Sequence, residues 1–330
     1  MHKVKATFYR SKIAESSHLV KILITKSNGR VLFSTGNNKD LIYPRSSVKV
    51  FQAIPFVESG AINDYKLNSK IISLACSSHR GEKIHINELK KWIKKINIKN
   101  SDLKCGFHYP LNEKAKQMML RSNTKINQIY NNCAGKHLAM ISSCLVKNYS
   151  TNNYLDFNHP HQQKIRNVFE NFSNTKILKK NYGIDGCSAP QYAFKISALS
   201  NMLNNLLNKY NNNIQYSKEI KKLVDSILAY PKYIGGTDSL DSNIMSVANK
   251  KIFCKGGAEG VFLFASLSKN ITGVIKVADG NERAIPIIMY NLIKKFSLLS
   301  NRELNKLEKF CNFKIINHAK IKVGSVSAKL

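Results

Sequence analysis

The chain opens in a strand pattern. Val20 to Thr25 and Val31 to Thr35 are apolar runs on either side of Ser27-Asn28-Gly29, and Asn-Gly between such runs predicts a hairpin. Pro44 ends this region. Ser46 or Ser47 can cap a helix carrying Val48, Phe51 and Gln52, and Pro55 should bend that helix. Apolar positions then recur at helical spacing over 67–75, 86–96, 113–120, 136–146, 161–172, 193–207 and 217–228. Strand patterns return at 251–255, 261–266 and 273–277, followed by a long helix predicted from Glu282 to Leu298. Strands, a helical middle, then strands and a helix predict an α+β chain whose terminal segments build one antiparallel sheet flanked by helices. No repeat or clear linker interrupts the pattern. The Asn-rich stretches near Asn204 and Asn211 read as solvated loops.

Composition narrows the class. A chain of 330 residues with 43% hydrophobic side chains can bury a sizeable core. The formal net charge of +32 suits a nucleic-acid or anionic-membrane partner. It equally suits a coding bias toward Lys and Asn. The lysines are scattered rather than gathered into a stripe, so neither a nucleic-acid nor a membrane partner is expected. Seven cysteines, with no CxxC among them, predict a reducing, cytoplasmic setting rather than a disulfide scaffold. The N-terminus lacks the apolar run of a secretory signal, and no stretch approaches 18 uncharged apolar residues.

Four segments could carry chemistry. Ser46 and Lys49 are spaced i, i+3, so a helix starting at Ser46 puts both on one face. A lysine amine so placed can take the proton of a serine hydroxyl if burial lowers its pKa, and SxxK is a pattern of serine nucleophiles. Alternatively the serine is a helix cap and the lysine is solvated. Ala75-Cys76-Ser77-Ser78-His79-Arg80-Gly81-Glu82 gathers a Ser, a His and a Glu. Adjacent residues rarely face one another, so a helix end closed by Gly81 is the competing reading.

In Asn131-Asn132-Cys133-Ala134-Gly135-Lys136-His137, Cys133 and Lys136 are again i, i+3, and Cys187 lies in the turn-rich Asp185-Gly186-Cys187-Ser188-Ala189-Pro190. Two thiolates can hold a borderline metal such as zinc. His137 is the ordinary third ligand on general grounds, because an amine must first lose its proton. Buried free cysteines are the alternative. Lastly, Lys255-Gly256-Gly257-Ala258-Glu259-Gly260 is neither a Walker loop nor a dinucleotide fingerprint. It reads as a tight strand turn.

Taken together the motifs resemble the asparaginase II family, typified by the rhizobial thermolabile, or class 3, L-asparaginases. The matching pieces are Glu15-Ser16-Ser17-His18, PRSSVK with FQAIPFVESGA, SSHRGE, Cys105-Gly106-Phe107-His108-Tyr109-Pro110, NNCAGKH, His159-Pro160, DGCSAP, KGGAEG and ADGNERA. Their order and approximate spacing over about residues 4–295 carry the resemblance. It implies a serine-dependent β-lactamase-like or glutaminase-like fold, a homodimer, and hydrolysis of L-asparagine to L-aspartate and ammonia.

The resemblance also implies roles. Ser46 with Lys49 is a nucleophile and its base, and Ser78 with Lys255 is a second Ser–Lys pair. Cys133, Lys136 and Cys187 bind zinc, and Arg45, His137 and Asp185 line the substrate pocket. Residues 1–300 then form a single catalytic domain, and 301–330 a C-terminal extension with no assigned role. The rivals are a glutaminase, one methylene away in substrate, another serine acyl-enzyme of the β-lactamase kind, and a basic nucleic-acid-binding protein. The KTG-type triplet of the β-lactamases is absent.

Overall fold

The computed structural model describes residues 3–311 and 313–330. They form two compact units. The first comprises residues 1–47, 194–207 and 243–330, and the second comprises 48–193 and 208–242.

An antiparallel sheet makes the first unit. Its strands are β1 (Val4–Arg10), β2 (Ile13–Lys26), β3 (Val31–Thr35), β4 (Ile252–Gly257), β5 (Val261–Ser266), β6 (Ile271–Val277), β7 (Lys314–Ile316) and β8 (Lys322–Ala328). They lie in the order β7-β8-β1-β2-β6-β5-β4, with β3 also on β2. β2 is long enough to pair β1 through Ile13–Val20 and β3 through Ile22–Thr25 along the same edge. The Ser27-Asn28-Gly29 turn joins β2 to β3, as the Asn-Gly signal predicts. Both chain ends meet in this sheet, since β8 pairs β1 from Ala6↔Ala328 to Arg10↔Gly324. The α+β expectation therefore holds. The segment 301–330 contributes the helix Asn301–Glu308 together with β7 and β8.

Two of the sequence motifs fasten this sheet. Arg283 Nε donates to His18 Nε2 at 2.8 Å, so the other ring nitrogen, Nδ1, carries the proton that Asp279 accepts at 2.6 Å. Arg283 also donates to Ser16 and lies over the Phe8 ring. The ESSH and ADGNERA segments thus tie β1, β2 and the turn after β6 together.

The reading of Asn204 as loop is corrected. Asn204 sits inside the helix Ile196–Asn211, largely buried. Its carbonyl accepts from Thr25 and Thr272, and Thr25 also meets Ser200. Four short polar side chains satisfy one another where the helix meets β2 and β6, which keeps a buried polar knot inexpensive. Asn211 is the last residue of that helix.

The second unit is helical. Its main helices are Ser69–Ala75, Lys83–Ile96, Ala134–Val146, Pro160–Ser173 and Ser217–Ala229. Ala134–Val146 is buried from Ala134 to Cys144, which matches its near-continuous apolar run. It reaches the end of Ser69–Ala75 at Gly135, where an added Cβ would fall 2.0 Å from the Leu74 carbonyl oxygen. No side chain larger than hydrogen fits there.

Gly135→Ala should therefore cost about 1–3 kcal/mol, the usual range for overpacking a tight contact. Urea melts of the variant measure it directly. A variant as stable as wild type would mean that the two helices can part without loss.

Candidate active site

The segment that carries Ser46 is a short 3₁₀ turn, Arg45–Val48, running into the helix Lys49–Gln52. The expected serine cap is corrected: Val48 holds the N-cap position, and the Ser47 hydroxyl donates instead to the Pro44 carbonyl at 2.6 Å. Ser46 lies within the 3₁₀ turn and Lys49 opens the helix that follows it. Arg45 adopts φ 53°, a left-handed conformation uncommon for a residue with a side chain. Ser46 and Arg45 are half-buried. In the same unit, Gly257 at the end of β4 leaves no room for a Cβ, which would fall 2.4 Å from the Pro44 oxygen and 3.3 Å from the Ser46 nitrogen. Lys255 precedes Gly257 by two residues and so shares its face of the strand. It is buried, and its amine donates to the Gly256 carbonyl at 2.9 Å.

Lys49 and Ser78 meet in the second unit. Lys49 is fully buried, and its Nζ donates to the Ser77 carbonyl and to Ser78 Oγ, the latter at 3.0 Å. This contact links the lysine of one sequence-predicted pair to the serine of the other. Ser78 follows the C-terminus of the helix Ser69–Ala75 and is held by its own N–H, which donates to the Ile234 carbonyl at 2.8 Å. That N–H is therefore committed and is no oxyanion donor, whereas the half-buried hydroxyl remains open to one.

His79 turns away from Ser78, in keeping with the expectation that neighbours do not pair. Its Nδ1 accepts from Gly81 N–H at 3.2 Å, and its ring stacks on His85 at 5.4 Å. Gly81 closes the turn at φ 74° against Pro110. Glu82 accepts from the Thr237 N–H and hydroxyl, so it supports the loop and has no place beside Ser78.

The NNCAGKH run gathers a second cluster in the same unit. Asn131 Oδ1 accepts from Cys133 N–H at 2.9 Å, while Asn131 Nδ2 donates to the Cys105 carbonyl at 2.8 Å. Asn132 accepts from His79 N–H and donates its own N–H to His108 Nε2. One asparagine aims the cysteine and the other ties the run to SSHRGE and CGFHYP. The turn Asp185–Ala189, with Ser188 at φ 68°, presents Cys187. Lys136 Nζ donates to Cys187 Sγ at 3.0 Å. Cys133, Lys136 and Cys187 are all buried, and Asp185 is half-buried beside them. His137 is wholly buried, with Nδ1 2.6 Å from the Tyr154 hydroxyl. Asn131 lies in the motif but was given no role, and Tyr154 did not stand out in the sequence, because a lone Tyr carries no spacing signal.

The electrostatics of this cluster are cooperative. The Cys187 thiol is lowered to about 4 by the hydrogen bond from Cys133 and by Lys136, against the cost of burial. Cys133 is pushed up to about 12, chiefly because its proton is held by Cys187. Burial opposes the charge on Lys136, but Cys187 and Cys133 outweigh it and hold the amine protonated above its ordinary range. The contacts thus favour charge on Cys187 and Lys136 and disfavour it on Cys133. Burial pushes His137 down to about 3 and His79 well below the usual imidazole range.

Two buried sulfurs and one buried amine, linked by hydrogen bonds, suit a borderline cation such as zinc. Among the described residues no group of three His, Cys, Asp or Glu side chains surrounds a common point, so a metal here depends on the lysine. All seven cysteines are buried and free of disulfides. No described helix is long and apolar enough to cross a membrane.

The family model for L-asparaginase II matches residues 6–328. The chain belongs to that family, and the class it defines is an asparaginase-type amidohydrolase. The match takes in the C-terminal strands as well as the sequence motifs. No curated protein matches the chain significantly. Among solved structures it is similar to the one described as "Crystal structure of putative beta-lactamase from Bacteroides dorei DSM 17855", at 9% identity and a TM-score of 0.45, over 84% of this chain and 93% of that one. A similarity at that score decides nothing about the site.

Buried neutral histidines set an acid limit on stability. His79, His137 and His161, the last also lowered to about 3 by burial, protonate in the unfolded chain near pH 6.5 but not in the folded one. Their contribution is complete above about pH 6.5 and is lost as pH falls toward the folded values, at up to about 1.4 kcal/mol per pH unit for each. Denaturant midpoints should drop steeply between pH 7 and pH 5. A flat profile would show that these rings are charged or exposed when folded.

Proposed function

We propose that the protein is an L-asparagine amidohydrolase that works through a covalent serine ester. The observation that carries this reading is the Lys49–Ser78 hydrogen bond at 3.0 Å, with Lys49 fully buried three residues after Ser46 in an SxxK turn. Ser46 Oγ attacks the side-chain amide carbon of asparagine while Lys49 takes its proton. The C–N bond then breaks, and the proton passes from Lys49 by way of the Ser78 hydroxyl to the leaving ammonia. Water attacks the ester carbon and gives a proton to Lys49, the C–Oγ bond breaks, Lys49 returns that proton to Ser46 Oγ, and aspartate leaves. Lys255 is the second lysine of the machinery by family resemblance. Arg45, His137 and Asp185 bind the amino acid, with the guanidinium suited to its α-carboxylate and Asp185 to its α-ammonium.

Cys133, Lys136 and Cys187 would hold zinc, which would supply a fixed positive charge next to the substrate-binding residues. Lys136 and Cys133 must give up their protons for this. The family resemblance further suggests a homodimer in the cytoplasm. Glutamine hydrolysis is the second reading, since one methylene separates the substrates and changes rates only about 10–200-fold.

Ammonia release from L-asparagine and L-glutamine by wild type and Ser46→Ala tests the reading. Wild type should favour asparagine, and the variant should lose at least about 10³-fold in kcat, the scale on which removing a nucleophile acts. Activity that survives the substitution would move the nucleophile elsewhere. Zinc uptake should release about two protons near neutral pH, one from each group the cluster holds protonated, so affinity should fall steeply as pH drops. Calorimetry in buffers of different ionisation enthalpy reads the count. Uptake with no proton release would exclude this ligand set.

A further inference from the structure

Tyr154 belongs to none of the family motifs, yet it is fully enclosed and sits against His137. Its hydroxyl accepts the Lys104 N–H at 2.9 Å and lies 2.6 Å from His137 Nδ1. The two rings meet edge to face at 5.7 Å and 82°. Gln162 braces Tyr154 from behind, donating to its backbone carbonyl at 2.8 Å. A phenol has one hydrogen to give. The Lys104 amide is a donor and cannot take it. Among the described residues, the one acceptor within reach of the hydroxyl is His137 Nδ1.

The hydroxyl therefore donates to Nδ1, and the neutral imidazole carries its own proton on Nε2. That Nε2 is buried and has no hydrogen-bond partner among the described residues. A buried donor with no acceptor is costly, and native structures keep few of them without a purpose. The ring also lies within electrostatic reach of Lys136, Cys133, Lys49 and Asp185, so the orphan N–H is inside the cluster already described.

We propose that Tyr154 is a positioning residue that locks His137 in the Nε2–H tautomer, so that a buried, uncharged donor faces an oxygen of the bound amino-acid amide. The proposal rests on the amidohydrolase reading of this site for its ligand, and on hydrogen-bond geometry alone for its tautomer. An imidazole in the opposite tautomer would present a lone pair and repel a substrate carboxylate or carbonyl. The tyrosine thus decides whether the histidine attracts or rejects an oxygen.

Long-range proton–nitrogen correlation spectra of ¹⁵N-histidine-labelled enzyme read the tautomer directly, without substrate. Wild type should show Nε2–H, with Nδ1 as a hydrogen-bonded acceptor. Tyr154→Phe should lose that signature. Its KM for L-asparagine should rise about tenfold, the value of one hydrogen bond to a buried group, with kcat changed far less. An Nδ1–H wild type overturns the proposal even if the variant fails to fold. A Tyr154→Phe enzyme with the same tautomer and the same KM overturns it too. Failure of the amidohydrolase reading looks different: wild type releases no ammonia, which overturns the assigned ligand, while the spectrum still decides whether Tyr154 sets the imidazole.

Discussion

The approach of the helix Ala134–Val146 to the last turn of the helix Ser69–Ala75 is the contact on which the site depends. Gly135 lets the two backbones come together where any Cβ would strike the Leu74 carbonyl. Immediately beyond Leu74 on one side are Ser77 and Ser78, which receive Lys49. On either side of Gly135 are Cys133 and Lys136, which reach Cys187. One missing methyl group therefore lets the helix ends that carry the Lys49–Ser78 contact and the sulfur–amine cluster meet in the second unit. The asparagines 131 and 132 then lock the approach, because both tie the run to CGFHYP and Asn132 also ties it to SSHRGE.

At these contacts, burial and charge act against each other, and their balance differs from group to group. Low dielectric alone would leave every group neutral. His79 and His137 obey it, because burial outweighs the charges around them. Lys136 does not, because Cys187 stands 3.0 Å away and gains a second hydrogen bond from Cys133. A metal held by these three side chains, as proposed, would have to displace protons from Lys136 and Cys133, so its affinity would fall with pH.

Much of this architecture was legible in the sequence where period and turn chemistry agree. The Asn-Gly hairpin, the strands at 261–266 and 273–277, and the buried run at 136–146 all appear where the patterns place them. Three features were not legible. The strands β1 and β8 gain their order from pairing with each other, a contact more than three hundred residues apart in sequence that no local window contains. Asn204 reads as a loop residue by type, but two hydroxyl groups from distant strands, those of Thr25 and Thr272, satisfy it inside a helix. The serine cap failed because Pro44 offered its carbonyl to Ser47 and the chain tightened into a 3₁₀ turn. At the site, spacing pointed to Ser46, Lys49, Cys133 and Lys136. The partnership of Lys49 with Ser78 and that of Tyr154 with His137 needed the fold.

The most direct test of the account is to trap the ester. Enzyme mixed with L-asparagine is quenched in acid within the first turnovers, digested, and mapped by mass spectrometry. The account predicts an aspartyl ester on the peptide that contains Ser46. An ester on Ser78, or steady ammonia release with no ester on either serine, would contradict it.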